Sequence, residues 1–586
     1  MLAWSQLLPI GAGPDEPSNF IKSAAIIRGE FIGEDKHEWI LSVDGWAFDS
    51  GSGIHRVIVT ADGQVVGDGV PSIARQDVAD VLSIDADSLV GFSIKVKFSD
   101  DAPRSYVVYS ELNDGNLVIL EVSKNKNIVS SGSSENAVEG RLPIVSRTSH
   151  GFVDQSRFYA NLDLSYWSTS VDIDPQFGVA LSVPWCFAPV AERPACNMPI
   201  EDQIIIDNPP WTGMGHYPPG GFAFSGIGTL VGPNDFAFRL SRAINSGISA
   251  ILLALAFACL KRRSLSALPL IVALTPGVLF ISAVINPSGT EICAAMALWA
   301  ALPSFISAFK VLRVEALTVA LSGVLLIVAR PLGTLLYAVV VATVVIASGS
   351  IKKLWSHLRN HKIVYGLHSI SALFMIWWYL FVFNSVVYSK MTAGLPKISL
   401  AARFLHAIGD IPRVIDESIG NYGWLDTPTP RPIAIVILLT TVVIIAVGWA
   451  GLVLSTKRAV MFLGISSILL IIAEDFNYYN ILRGFGVQGR HITPLLVGIP
   501  IIGARYLRLT RHGRRFVVVI WCLAVIGSGL AALRRYSVGV IGDNAHHLFT
   551  QPVWEPPLGI AWSIILLIIA TTCVGIVLIK SENGVT

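Results

Sequence analysis

From Leu240 onward the chain is a succession of apolar runs, each near the ~20 residues that an α-helix needs to cross a bilayer. Runs at 240–260, 266–285, 290–308, 314–329, 331–348, 366–388, 432–454, 459–474, 491–506, 516–533 and 557–579 predict eleven spans. Two of them meet at Arg330-Pro331 without a soluble loop, and no broken helix in mid-span is evident elsewhere. Before Leu240 the pattern changes, and residues 30–236 are polar and rich in Asp, Ser and Gly. Within that region Val57 and Val59 alternate with Ile58 and Thr60 ahead of an Asp62-Gly63 turn, a hairpin signal. GFSIKVKF places Phe92, Ile94, Val96 and Phe98 on one face, and SYVVYSELNDGNLVILEV turns at Asp114-Gly115. Residues 38–125 therefore predict a β-sandwich. A Ser/Asn/Lys-rich linker (124–136) leads to a Trp- and Pro-rich loop region at 140–236, and the helical bundle fills 237–586.

Two further elements follow from the same pattern. Near 398–412, Ile398, Ala401, Leu405 and Ile408 share one helical face, while Arg403, His406 and Asp410 share another. That predicts an interfacial amphipathic helix along the outer leaflet, which either guides a lipid tail or packs over the bundle. At the other end, residues 1–30 hold a short apolar run and the acidic corner GPDEPSNF. Leu2 to Gly13 would reach only about 18 Å as a helix, against a hydrocarbon core of about 30 Å. We expect an incomplete first helix here, and twelve spans in the native protein.

Composition agrees with the pattern. The chain is 53% hydrophobic and 14% charged, whereas a soluble domain is about 25% charged. Net charge is only +2, with no clustered basic face, which excludes a nucleic-acid partner. Lys261-Arg262-Arg263, Lys310 and Arg313, Lys352 to Lys362, Lys457-Arg458, Arg505 to Arg515 and Lys580 all fall on one side of the eleven-span order. By the positive-inside rule that side is cytoplasmic, so the large polar region faces outward from a multi-pass plasma-membrane protein. Cys259, Cys293, Cys522 and Cys573 lie in spans, whereas Cys186 and Cys196 lie in the outer region and predict a disulfide.

Candidate chemistry lies where polar groups sit at outer span ends, because charges at membrane depth are costly. Asn286 and Glu291 lie in NPSGTE, Arg330 joins two runs, Glu474 and Asp475 close one, and Arg490 opens another between glycines. Tyr217 precedes the first full span, and Trp424 and Asp426 stand in NYGWLDTPTP. Each has a structural alternative: Glu291 as a helix cap, Arg330 paired with Glu474, Asp426 in an Asx turn. Arg239 and Arg242 either meet anionic lipid or phosphate, or snorkel to the interface. No phosphate-loop or metalloprotease motif is present, and His546-His547 has no matching ligand framework.

Several segments carry a resemblance. PDEPSNF, YPPGGF, NPSGTE, ARPLG, GWLDTP and QGRHITP stand in the order of a family of bacterial predicted membrane proteins of unassigned function. That family resembles the GT-C glycosyltransferases, and the resemblance covers 1–30 and about 180–579, with the β domain inserted in the first outer loop. VDGWAFD and ARQDVAD resemble accessory β domains of bacterial surface-glycan glycosyltransferases. Such a domain is either a spacer or a glycan contact through Trp46.

The resemblance implies a GT-C-like bundle with a polyprenyl-phosphate-linked sugar as donor and transfer to a cell-envelope glycan at the outer face. It also implies a catalytic acid in the first outer loop, a position that Asp15 or Glu16 occupies. Arg490 or Arg330 would meet the donor phosphate, so no cofactor is required and a divalent cation is optional. The family pattern usually has a histidine where this chain has Asn19. A lipid-linked glycan transporter or flippase and a non-catalytic scaffold of a glycan-assembly complex are the alternatives.

Overall fold

The structure, a computed structural model, describes residues 1–32, 34–35, 39–75, 78–79, 82–85, 88–98, 105–124, 151–160, 169–188, 191–196, 199–202, 209–349, 360–382, 398–482, 487–539 and 547–582. The linker from 125, the start of the loop region at 140–150, the basic loop with Lys352, Lys353 and Arg359, and His546 lie outside them. The chain divides into two compact units. One holds Met1–Glu34, Ser168–Ser385 and Lys397–Thr586, and the other holds Asp35–Trp167 and Val386–Pro396.

The smaller unit is built from two four-stranded antiparallel sheets. One runs in the order Ile73–Ala74, Leu89–Phe98, Trp39–Ala47, Gly151–Ala160, so it recruits a strand beyond residue 125. The other runs Gln64–Gly69, Ile54–Ala61, Ser105–Leu112, Leu117–Lys124. Asp62 (φ 46°) and Gly63 (φ 82°) turn the first hairpin, as two left-handed residues between strands should. Leu41, Val43, Phe92, Ile94 and Val96 of one sheet bury against Val57, Val59, Tyr106 and Val108 of the other. That shared apolar layer makes a sandwich.

In the larger unit seven helices of the described residues are long and apolar enough to cross a membrane. They are Asp235–Arg262, Pro287–Ser307, Lys362–Phe381, Arg431–Trp449, Leu454–Asn477, Arg511–Val538 and Ile560–Glu582. The other four expected spans are shorter or interrupted. Arg313–Val328 and Gly333–Ser348 have 16 residues each and turn at Arg330-Pro331, which gives each a length of about 24 Å.

The remaining two runs correct the expectation of unbroken spans. The 266–285 run is two helices, Leu268–Ala273 and Pro276–Ala283, and the 491–506 run is Gly489–Leu496 followed by Gly498–Gly503. Pro276 has no amide hydrogen and sits at a helix start, with the Thr275 hydroxyl accepting from Val278 N at 3.3 Å. The Leu274 carbonyl freed by the break receives the Trp521 indole N–H at 2.9 Å. In the second run the Pro494 carbonyl receives the Trp299 indole N–H, also at 2.9 Å. Gly498 lets that ring approach, since a Cβ there would lie 2.4 Å from it. Non-helical backbone survives inside apolar segments when protein groups satisfy it, and two tryptophans do so here.

Pro287–Ser307 is the central helix, with 89% of its apolar window buried. Its alanines at 294, 295, 297, 300 and 301 permit close helix approach. The expected interfacial helix is a bent pair, Leu400–Gly409 and Ile411–Gly420. Arg403 donates to the Phe476 carbonyl and His406 bonds Asp475, so its polar face packs on Leu454–Leu482 while Leu400 and Leu405 stay exposed.

Candidate functional site

The N-terminal residues form a short helix, Leu2–Gln6, and then a buried loop that ends at Asp15. Side chains from distant parts of the chain hold this loop by its carbonyls. Arg242 reaches Leu8 O and Pro9 O, Trp424 reaches Gly11 O, Tyr536 reaches Ala12 O, and Asn286 reaches Pro14 O. Asp15 closes the loop in a left-handed conformation (φ 58°) and stands at the start of the helix Glu16–Ile27. Aspartate is among the few non-glycine residues that adopt this conformation readily.

The two carboxylates of the corner have opposite fates. Glu16 has no exposed side-chain surface, and Arg242 grips both its oxygens at 2.6 Å. Ile285 N donates to Oε1 and Gly13 N to Oε2, so each oxygen accepts two hydrogen bonds. Arg242 thus meets Glu16 instead of a lipid phosphate. Asp15 keeps 36% of its side chain exposed and accepts one bond from Arg490 Nη2, at 2.5 Å. Asn19 is spent on structure, donating to Ile285 O at 2.8 Å.

Arg490 joins this corner to a second polar cluster. Its Nε is buried with no hydrogen-bond partner among the described residues. A cavity of about 30 Å³ beside it is lined by Gly277, Ile281, Glu417, Asn421 and Thr493. Next in the chain, His491 Nδ1 lies 3.3 Å from Glu474 Oε2. Arg330 Nη1 donates to Glu291 Oε2 at 3.2 Å and also bonds the Tyr217 hydroxyl. Arg330 therefore pairs with Glu291 rather than Glu474. Glu291 Oε1 and Glu474 Oε1 are buried with no partner among the described residues. Lys22 helps place the segment before Tyr217 by donating to Gly215 O, and burial pushes its ammonium down to about 7.

Asp15–Arg490, His491–Glu474 and Tyr217–Arg330–Glu291 lie within electrostatic reach of one another, with Glu291 near both Arg330 and Arg490 and Glu474 near Arg330 and Glu291. Asn286 supports the Asp15 corner through Pro14 and caps Pro287–Ser307 by accepting from Ser288 N. Asp426 stands apart, held by Arg535 at 2.7 Å and by the Thr427 hydroxyl. Trp424 serves the loop at Gly11. Asp475 is also separate, bonded by His406 at 2.8 Å. His406, Asp410 and Asp475 have ligand atoms within 4.8 Å of one another, enough to hold a metal ion. Arg413 already bonds both Asp410 oxygens, so that trio fits a cation poorly.

Nothing in the sequence pattern marks His491 or pairs Glu16 with Arg242. A charge in a predicted span was the available signal for Arg242, but its partner lies 226 residues away. Cys186 and Cys196 are joined in a disulfide, and two carbonyls of that loop, Phe187 and Arg193, accept from Arg535.

No curated protein and no solved structure matches the chain. A family model described as predicted membrane protein (DUF2142) matches residues 166–499, more than half of the length, and the chain belongs to that family.

Proposed function

We propose that the protein is a GT-C-like membrane glycosyltransferase. It moves a sugar from a polyprenyl-phosphate donor to a cell-envelope glycan or glycolipid acceptor on the outer face. The observation that carries the reading is the exposed Asp15 carboxylate bridged to Arg490, whose guanidinium keeps a buried Nε with no partner among the described residues beside a cavity. A phosphate competes for a guanidinium with the same bidentate geometry as a carboxylate. Donor binding at Arg490 releases Asp15, which then accepts the proton of the acceptor hydroxyl as its oxygen attacks the anomeric carbon. The bond from that carbon to the phosphate oxygen breaks, and polyprenyl phosphate leaves with its charge held by Arg490, with Arg330 behind it. Glu16 is excluded from the base role by its four filled acceptor positions.

A cavity of about 30 Å³ holds one or two waters, so a sugar fits only after the neighbouring Ile411–Gly420 segment shifts. Asp15→Asn keeps the left-handed turn and removes the base. It should cut transfer of label from a polyprenyl-phosphate sugar at least 100-fold, with unchanged yield and melting of the purified protein. Full turnover by this variant would sink the assignment.

The two interrupted helices favour a second reading, a transporter for a lipid-linked glycan, since transporters bind substrate at such breaks. Proteoliposomes separate the readings. Movement of a labelled lipid-linked sugar between leaflets, undiminished in Asp15→Asn and without new glycosidic bonds, would establish transport.

A further inference from the structure

At the far end of the same helices lies a second cavity, of about 510 Å³, with no part in the reaction above. Glu291 and Ser304 are 13 residues apart on Pro287–Ser307, which separates the two ends by about 20 Å. Arg263, Ser304, Ser307, Thr456, Arg505 and Tyr506 supply its polar wall. Arg505 is 6% exposed. Its Nη2 donates to the Ser304 hydroxyl at 2.6 Å, its Nη1 to Ala300 O at 3.3 Å, and it bonds the Tyr506 side chain.

What Arg505 lacks is an anion. Among the described residues no carboxylate forms an ion pair with it, and nearby Glu315 is taken by Arg263 through two bonds of 2.6 Å. A buried cation without a counter-charge is strongly unfavourable, so the site favours an anionic occupant. Hydroxyls around a guanidinium fork match phosphate oxygens. Val344, Val453 and Ile502 line the same space and give an acyl or prenyl chain an apolar wall.

We propose that this cavity is a binding site for the phosphate group of a membrane lipid, with Arg505 as its fork and Ser304 as its second contact. By its basic loops the site opens to the leaflet opposite Asp15. The shared chemistry is a phosphate ester or free phosphate, and the sources are separable. The full-length protein in detergent is titrated by calorimetry with dihexanoyl phosphatidylglycerol and, separately, with inorganic phosphate. The lipid should bind, and Arg505→Gln should weaken it at least tenfold. Ser304→Ala, a gentler change that survives if Arg505→Gln does not fold, should weaken it about tenfold, the lower end for a lost hydrogen bond to a charged group. The pair Arg511→Gln and Arg514→Gln, basic but outside this cavity, should leave it unchanged. Inorganic phosphate binding with the same dependence on Arg505 and Ser304 would support the site and name free phosphate as the ligand. Binding of either probe that ignores both residues, or no binding at all, would overturn the proposal.

Discussion

Taking Glu16 and Arg242 out of water costs several kcal/mol per ion, and only their mutual attraction and their remaining hydrogen bonds offset it. Removing one partner strands the other. Glu16→Gln or Arg242→Met should each destabilise the protein by about 3–5 kcal/mol. The double variant Glu16→Met/Arg242→Met should cost clearly less than the sum, read from thermal melting in a mild detergent. Additive losses would mean that the pair is not the main interaction of either residue. Asp15 differs because its carboxylate is partly exposed and bonded by one side chain, Arg490. A sequence shows two adjacent acids between prolines and cannot rank them. The ranking comes from Ile285, Gly13 and Arg242, which converge on position 16 from three separate segments.

At the level of elements, the interrupted helices depend on two indoles. Trp521→Phe deletes the N–H together with the five-membered ring, which leaves the Leu274 carbonyl buried without that donor beside a small cavity. The expected loss is at least about 1–3 kcal/mol from the stranded carbonyl, with the cavity adding to it. Trp299→Phe should cost a similar amount at Pro494, and differential scanning fluorimetry of both variants checks it. Unchanged melting would show that water or relaxed backbone already serves those carbonyls. Hydropathy read each of these runs as one span, because it counts apolar side chains and is blind to a missing backbone bond. Thr275-Pro276 was a legible start signal all the same. The hairpin at Asp62-Gly63 was legible for the opposite reason, since its chemistry is local and needs no partner from elsewhere.

For the molecule as a whole, the helical unit holds the residues on both sides of the β unit, Met1–Glu34 before it and Ser168–Ser385 after it, so the β unit is an insertion in the helical unit's chain. Replacing residues 36–167 by a short Gly/Ser link should therefore leave the helical unit folded, with melting within a few degrees of the intact protein. Retained Asp15-dependent transfer by this variant would dismiss a scaffold whose working part is the β unit. The change of hydrophobic period near Leu240 marks the first long apolar helix, but the two units part at Glu34/Asp35 and Trp167/Ser168, so residues 168–236, expected as an outer loop region, belong with the helical unit. The Asp15–Arg490 and Arg330–Glu291 contacts were not legible in the sequence, because they join positions 475 and 39 residues apart through folding in three dimensions.

Those separations also set an order of construction. At about 5–20 residues per second, a ribosome needs roughly 11 to 45 s to go from Glu16 to Arg242 and roughly 24 to 95 s to go from Asp15 to Arg490. The nascent chain thus has the means to fasten its first loop long before the arginine that faces Asp15 exists. An incompletely synthesised copy can hold the Glu16–Arg242 pair without Arg490, while the clamps from Trp424 and Tyr536 also arrive late, so the Asp15–Arg490 pair forms only when translation is nearly complete.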